Sequence, residues 1–344
     1  MTPSDFADRV VRWQAAHGRC DLPWQGTRDP YRVWLSEIML QQTQVATVIG
    51  YYARFLARFP HVRALAAAEP DEVLALWSGL GYYSRARHLH RCAQMVAREH
   101  GGVFPQSAAE LQKLPGIGRS TAAAIAAFCF GERAAILDGN VRRVLTRVLG
   151  FGADLVQAAN ERALWRQAQQ LLPQTDVQLA MPRYTQGLMD LGATVCLAKN
   201  PQCDRCPLAD LCVARRQGDP QRYPVRTRQI KRRVEAWWLL LYLDGGRRCW
   251  LAPRPPRGIW AGLYCPPVQM QPVGSDVLGS NADVKALAVV THALTHRELQ
   301  LHPVVIRGAE PSSSPQGAWF GHDEWQRLGL PAPIRRLLDA LCGE

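Results

Sequence analysis

Two carboxylates and four thiols carry the chemistry legible in this chain. Glu37 lies in Tyr31-Arg-Val-Trp-Leu-Ser-Glu-Ile-Met-Leu-Gln-Gln-Thr-Gln. Plotted at about 100° per residue, it flanks the apolar stripe of Tyr31, Trp34, Leu35 and Ile38, where a carboxyl is semi-buried and its pKa rises. Such a group suits donation of a proton to a leaving group near neutral pH. Asp138 lies in Ile136-Leu-Asp-Gly-Asn-Val-Arg-Arg. A better solvated carboxylate there suits stabilisation of developing positive charge. Each has a plainer reading alongside: a rim glutamate, and an N-cap for a helix opening at Gly139 or Asn140.

The chain holds ten cysteines, and Cys196, Cys203, Cys206 and Cys212 form C-x6-C-x2-C-x5-C. Pro201 and Pro207 force turns that point several sulfurs inward. Four thiolates on a short loop make a metal site. Zinc sites usually pair two C-x2-C knuckles, whereas this segment has one with unequal flanks, which favours an iron–sulfur cluster, most simply an architectural one. Cys20, Cys92, Cys129, Cys249, Cys265 and Cys342 are scattered singly and read as small buried hydrophobes, and Met39, Met95 and Met189 as core filler.

These groups need elements to place them. Leu114-Pro-Gly-Ile-Gly-Arg-Ser-Thr-Ala sets Gly116 and Gly118 between a short helix, with Ser107 and Glu110 as its capping box, and an Ala-rich helix over Thr121 to Phe130. Bare amides at such a helix start can approach an anion, and a DNA phosphate fits there, with Gly116, Gly118 and Arg119 as the backbone contact; a plain αα-turn is the alternative. Helical periodicity, as in Asp71 to Trp77 and Arg85 to Arg98, runs to about Ala214, so residues 1–214 read as mainly α. A Pro-containing basic stretch over 215–233 reads as a linker. Beyond it, over 234–344, Trp237 to Leu243 and Cys249 to Ala252 flank Asp244-Gly-Gly as a hairpin, Leu299 to Ile306 reads as a strand and Ala332 to Leu341 as a helix, an α+β domain.

Composition narrows the partners. In 344 residues, 41 Lys plus Arg against 29 Asp plus Glu leave a formal +12, which suits a polyanion. No apolar run approaches the roughly 20 residues of a bilayer span. The opening residues lack a signal-peptide pattern, so a cytoplasmic location and reduced thiols are expected.

The combination of Leu-Pro-Gly-Ile-Gly, the downstream Leu-Asp-Gly-Asn and the four-cysteine loop resembles the helix-hairpin-helix DNA glycosylases related to endonuclease III. Within that superfamily, Trp34 to Val45, Gly79-Leu-Gly-Tyr-Tyr-Ser-Arg-Ala-Arg and Gly258-Ile-Trp-Ala-Gly-Leu-Tyr-Cys-Pro are similar to the MutY-type adenine DNA glycosylases. The resemblance implies a six-helix barrel with a [4Fe–4S] loop at 196–212, a linker and a Nudix-like C-terminal domain. It implies a monomer that removes adenine opposite 8-oxoguanine or guanine in duplex DNA, with Glu37 as general acid and Asp138 stabilising the oxocarbenium-like sugar. Asn140 is expected to orient the catalytic groups, Gln186 to line the adenine pocket, and Gln42 and Tyr82 to fill the gap left by the extruded base.

Ser120 occupies the slot where bifunctional relatives carry lysine, so no Schiff base is expected and strand cleavage is weak or absent. In the C-terminal domain no Glu-rich metal helix follows Lys231, which argues against pyrophosphate chemistry. The loop Thr291-His-Ala-Leu-Thr-His is expected to sense the lesion through Thr295 and His296, although Leu294 and Thr295 replace the family's phenylalanine and serine; a strand-end turn is the bland reading. A bifunctional glycosylase-lyase acting on oxidised pyrimidines and a non-catalytic DNA-binding protein are the competing functions.

Overall fold

The Ala-rich segment forms the helix Arg119–Phe130, which is buried all round over Ala122, Ala123, Ala124, Ile125, Ala126 and Ala127, and it closes on a left-handed Gly131. Small side chains let neighbouring helices approach closely. In this computed structural model, which describes residues 3–227, 231–272, 283–309, 311 and 317–342, that helix packs against the Pro30–Leu40 and Val177–Asp190 helices. The chain divides into two compact units, Met1–Ala66 with Arg91–Gln229, and Ala67–His90 with Ile230–Glu344.

The first unit is helical. One apolar core runs from Phe6 and Val10 through Ala124, Leu145, Leu164, Met181 and Tyr184 to Tyr223. The chain between residues 215 and 227 packs on this unit: Tyr223 is buried, and Leu155 N donates to Val225 O. The short helix over Ala108–Leu111 is capped by Ser107, whose hydroxyl accepts from Glu110 N at 3.3 Å. Asp138 caps the helix Gly139–Leu149, accepting from Val141 N at 2.7 Å. The plain reading of Asp138 as an N-cap is therefore fulfilled without removing its carboxylate from other use.

The second unit is built on strands β1 (Arg233–Leu243), β2 (Cys249–Pro253), β3 (Tyr264–Cys265), β4 (Val268–Gln269), β5 (Asp283–Ala286), β6 (Val290–Ala293), β7 (Arg297–Arg307) and β8 (Ala318–Phe320). The sheet order is β3-β2-β1-β7-β5, with β4 on β1, β6 on β7 and β8 on β2. The expected hairpin is present: β1 and β2 are antiparallel, and Asp244 Oδ1 accepts from Gly246 N and Arg248 N across the turn. The centre of the sheet is a parallel pair, β1 with β7, in register from Arg233↔Arg297 to Leu243↔Arg307. One face buries Trp237, Leu239, Leu241, Leu299, Leu301 and Val305; the other carries Leu240, Tyr242, Val304 and Ile306. The helix Ala332–Cys342 buries Ile334 and Leu338.

The helix Pro70–Trp77 and the start of the helix Ser84–Glu99 belong to this second unit. Ser78 Oγ and Tyr83 Oη both donate to Leu330 O, at 2.7 and 2.9 Å, and Arg87 donates to Ala261 O at 2.8 Å. Five of the six scattered cysteines are buried as the sequence suggested, but Cys20 is exposed, in the irregular chain just after the Pro3–His17 helix, where neighbouring polar residues leave it no core to enter. Among the described residues no helix is long and apolar enough to cross a membrane.

Candidate active site

Glu37 sits near the end of the Pro30–Leu40 helix, between buried Trp34, Leu35, Ile38 and Met39. The helix starts cleanly because Asp29 accepts from Tyr31 N and Pro30 occupies its first position. Glu37 keeps some accessible surface, yet burial, assisted by the nearby charge of Asp138, pushes its carboxyl pKa up to about 8. Among the described residues no hydrogen-bond donor or cation pairs with that carboxyl.

Asp138 differs in what surrounds it. Burial also raises its pKa above the ordinary carboxylate value, but the amides of Val141 and Asn140 and the charges of Arg143 and Arg142 oppose the rise. The nearby charge of Asp138 disfavours ionisation of Glu37, and because such repulsion is mutual the two carboxyls titrate as a pair. The fold thus brings together, from two helix ends far apart in sequence, one carboxyl whose pKa burial lifts to about 8 and a second on which amides and arginines oppose the effect of burial.

The elements around Asp138 are tied in sequence order. Ser120 Oγ accepts from Leu137 N at 3.0 Å, fixing the chain just before Asp138 to the first turn of the Arg119–Phe130 helix. Gln41 Nε2 donates to Thr121 Oγ1 at 3.4 Å, linking the Glu37 helix to the same turn. Asn140 accepts from Arg143 at 2.9 Å, and Arg143 also donates to Cys196 O and Gly192 O, at 2.7 and 2.5 Å. Gly192, in a π-helical turn over Leu191–Val195, lies so close to Asn140 that an added Cβ would meet Asn140 Cβ at 2.5 Å. Sequence reasoning missed Arg143 and Gly192; the arginine pair right after Asp-Gly-Asn-Val was the available signal, and nothing local marked the glycine.

Gln186 donates to Asp190 at 2.9 Å, and fully buried Asp190 is ion-paired with Arg19 at 2.7 Å. This links the Val177–Asp190 helix to the chain after the first helix, a pairing over too great a sequence distance for a motif to show. Gln42 and Tyr82 are both exposed on turns with positive φ, 57° and 48°. For non-glycine residues this conformation is strained and is often kept where a side chain must be presented outward. Tyr82 is 45% exposed, so the alternative of a core tyrosine belongs to Tyr83, at 8%.

At the hairpin, Gly116 has φ 78° and Gly118 begins the following helix with no side-chain cap, leaving the first amides unclaimed by a cap. Arg119 is exposed and stacks its guanidinium over Trp165 at 4.0 Å. In the second unit, Tyr82, Arg232, Ala293, Leu294 and Thr295 line an open cavity of about 370 Å³, with Tyr82 Oη 3.5 Å from Thr295 Oγ1. Thr295 lies in the tight β6–β7 turn closed by Leu294 N to Arg297 O; His296 is exposed, and its carbonyl accepts from Arg233 N. Arg232, placed in the linker by composition, was not anticipated in this cavity.

Cys196, Cys203, Cys206 and Cys212 line one apolar cavity under Val144, Val148 and Leu191. Burial, with repulsion among the neighbouring sulfurs, pushes the Cys203, Cys206 and Cys212 thiols up, Cys206 to about 12. Four sulfurs facing one space, whose ionisation is disfavoured until a cation neutralises it, are a donor set that fits an iron–sulfur cluster. Arg147, itself buried, donates to Cys196 Sγ at 3.3 Å and to the carbonyls of Leu197 and Ala198.

Comparison with known proteins accords with this arrangement. The model for the HhH-GPD superfamily of base excision DNA repair proteins matches residues 35–170, the NUDIX domain model residues 236–340, and the iron–sulfur binding domain of endonuclease III residues 196–212. An adenine DNA glycosylase of Buchnera aphidicola (strain Bp) is 35% identical over 98% of this chain and 97% of its own length. The chain belongs to the adenine DNA glycosylase family. The human adenine DNA glycosylase is 46% identical over 62% of this chain and 40% of its own. Among solved structures, a thermostable thymine-DNA glycosylase aligns with TM-score 0.55 at 28% identity, covering 62% of this chain and 97% of that one. Endonuclease III in a non-covalent DNA complex shares the fold, with TM-score 0.51 at 22% identity over 63% of this chain and 98% of that chain. Within the family, the four-cysteine segment is the iron–sulfur loop and the sheet-bearing unit is Nudix-like.

Proposed function

We propose that this family member acts as a monomer on duplex DNA, hydrolysing the N-glycosidic bond of adenine mispaired with 8-oxoguanine or guanine. The observation that carries the reading is the split between the two carboxyls. Glu37 holds its proton up to about pH 8, whereas Asp138 is braced by two amides and Arg143. Glycosidic cleavage needs both states together: a proton for the departing base and an anion beside the cationic sugar.

The extruded adenine takes the Glu37 proton as the C1′–N bond breaks, and both bonding electrons leave with the base. The Asp138 carboxylate offsets the oxocarbenium-like sugar until water, or a transient Asp138 adduct, resolves it. Asn140, held by Arg143, keeps the turn that carries Asp138 in place, and Gln186 borders the adenine pocket through its bond to Asp190. Gln42 and Tyr82 fill the gap in the stack, and Tyr82 with Thr295 and His296 reads the partner base. The amides at Gly116 and Gly118, with Arg119, hold the phosphate backbone, which positions the duplex without reading sequence. Ser120 has no amine, and its oxygen accepts from Leu137 N, so it forms no Schiff base. Cys196, Cys203, Cys206 and Cys212 would hold a [4Fe–4S] cluster, which when bound supplies a positive cross-link for the loop.

Incubating the protein with duplexes bearing adenine opposite 8-oxoguanine, adenine opposite guanine, or thymine glycol tests the reading. Strand breaks on the adenine substrates only after alkali are expected. Breaks without alkali, or a covalent DNA adduct trapped by borohydride, would instead support the lyase. Glu37→Gln and Asp138→Asn should each abolish base release while retaining duplex binding. Loss of binding in parallel would contradict the assigned roles.

A further inference from the structure

The Gly79–Tyr82 turn presents Tyr82 in a conformation that an L-residue rarely adopts, and two flanking glycines alone do not fix it: Gly79 and Gly81 have φ 103° and 72° and bend freely. Something must hold the turn in its one shape. Arg85, the second residue of the next helix, is 8% exposed and folds its guanidinium back under the turn. Its Nη2 donates to Leu80 O at 3.3 Å and Gly81 O at 3.2 Å. The same cation lies 5.2 Å from the Trp77 ring centre and 5.5 Å from that of Tyr82, within cation–π range of both. Trp77 Nε1 adds a third tie, donating to Gly81 O at 3.1 Å. Arg85 is absent from the lining of the cavity that Tyr82 enters with Thr295, so it acts on any occupant through Tyr82.

We propose that Arg85 is a positioning residue for recognition of the base opposite the extruded adenine: its planar fork ties down the two carbonyls before Tyr82, and its charge under the ring fixes the angle at which Tyr82 meets that base. The inference rests on the reading of Tyr82 given above. Arg85 is chemically suited to the task because its broad, delocalised cation reaches the Trp77 and Tyr82 rings while Nη2 serves both carbonyls, a span that the compact lysine ammonium lacks. Burial lowers its pKa only to about 10, so the cation persists at neutral pH.

The test is a double-mutant cycle on the full, cluster-loaded chain, measuring single-turnover rates on duplexes with adenine opposite 8-oxoguanine and opposite guanine. Wild type, Tyr82→Leu, Arg85→Gln, Arg85→Lys and the double variant Tyr82→Leu with Arg85→Gln are compared, with melting temperature recorded for each. Arg85→Gln is expected to reduce the rate ratio between the two duplexes by about tenfold, as Tyr82→Leu does, and the double variant to lose no more than either alone. Arg85→Lys should restore part of the ratio. A purely structural arginine would instead lower the melting temperature and slow both duplexes equally whether or not Tyr82 is present. That multiplicative result overturns the proposal, as does an unchanged ratio in Arg85→Gln beside an impaired Tyr82→Leu. An unimpaired Tyr82→Leu would overturn the reading of Tyr82 itself.

Discussion

Glu37 is a glutamate whose neighbours decide its chemistry. Its helix sets it among buried apolar side chains, so the proton that an exposed glutamate releases near pH 4.5 is held to about 8 by burial, with the Asp138 charge adding to it. Activity should therefore fall as pH rises through about 8, where the general acid is lost, and should fall again on the acidic side as Asp138 takes up a proton. A pH–rate profile flat between 6 and 9 would remove Glu37 as the acid. The same shift bears on stability. Between about pH 4.5 and 8 the folded chain binds a proton that the unfolded chain has released, so folding stability contributed by this site declines as pH rises through that window and levels off above it. Glu37→Gln should flatten that decline, measurable as melting temperature against pH. The semi-buried place of Glu37 was legible from helical periodicity, but the proximity of Asp138 was not, because no local pattern pairs residues a hundred positions apart.

At the scale of elements, the helix Gly139–Leu149 presents Asp138 at its start and Asn140 and Arg143 on one side. Its N-cap was readable, because an aspartate before a helical run is a recognised start signal. What sets the helix's position is the close approach of Gly192 from the π-helical turn, with Arg143 bonding to the carbonyls beside it. Gly192→Ala would put a methyl against Asn140, and overpacking of this kind costs about 1–3 kcal/mol. The expected result is a lower melting temperature together with slower base release, while Arg143 retains its charge. A variant with wild-type rate and melting temperature would show that the approach is looser than described. The turns and strands of the second unit were partly legible as well. The Asp244-Gly-Gly hairpin follows from turn chemistry, whereas the parallel pairing of β1 with β7 does not, since both strands read alike whichever neighbour they choose.

For the molecule as a whole, charge and cluster set the behaviour in solution. A formal +12 and an amide-lined hairpin imply phosphate contacts, so affinity for duplex DNA should weaken steeply with salt as counterions are released. Fluorescence titration at several salt concentrations reads the slope, and an affinity indifferent to salt would remove the hairpin as the anchor. Removing the cluster should unsettle the loop around Cys196, whose sulfur and following carbonyls hold buried Arg147. The first unit should then melt earlier, as followed by circular dichroism, because the buried Arg147 guanidinium loses the fixed sulfur and carbonyls that satisfy it.

Local spacing along the chain accounts for the Ala-rich helix, the Ser107 and Asp138 caps, the Asp244 hairpin and the cysteine loop, because each depends on residues within a few turns of one another. It also marked Glu37 and Asp138 as candidates by type and local setting. Folding in three dimensions is what brings the two carboxyls into one electrostatic environment, ties Gln186 to Arg19 through Asp190, places residues 67–90 with the C-terminal sheet and leaves Cys20 outside the core. Those outcomes depend on burial and on contacts between distant segments, and a carboxyl's pKa in particular is set by what the folded chain places around it, which no window of sequence contains.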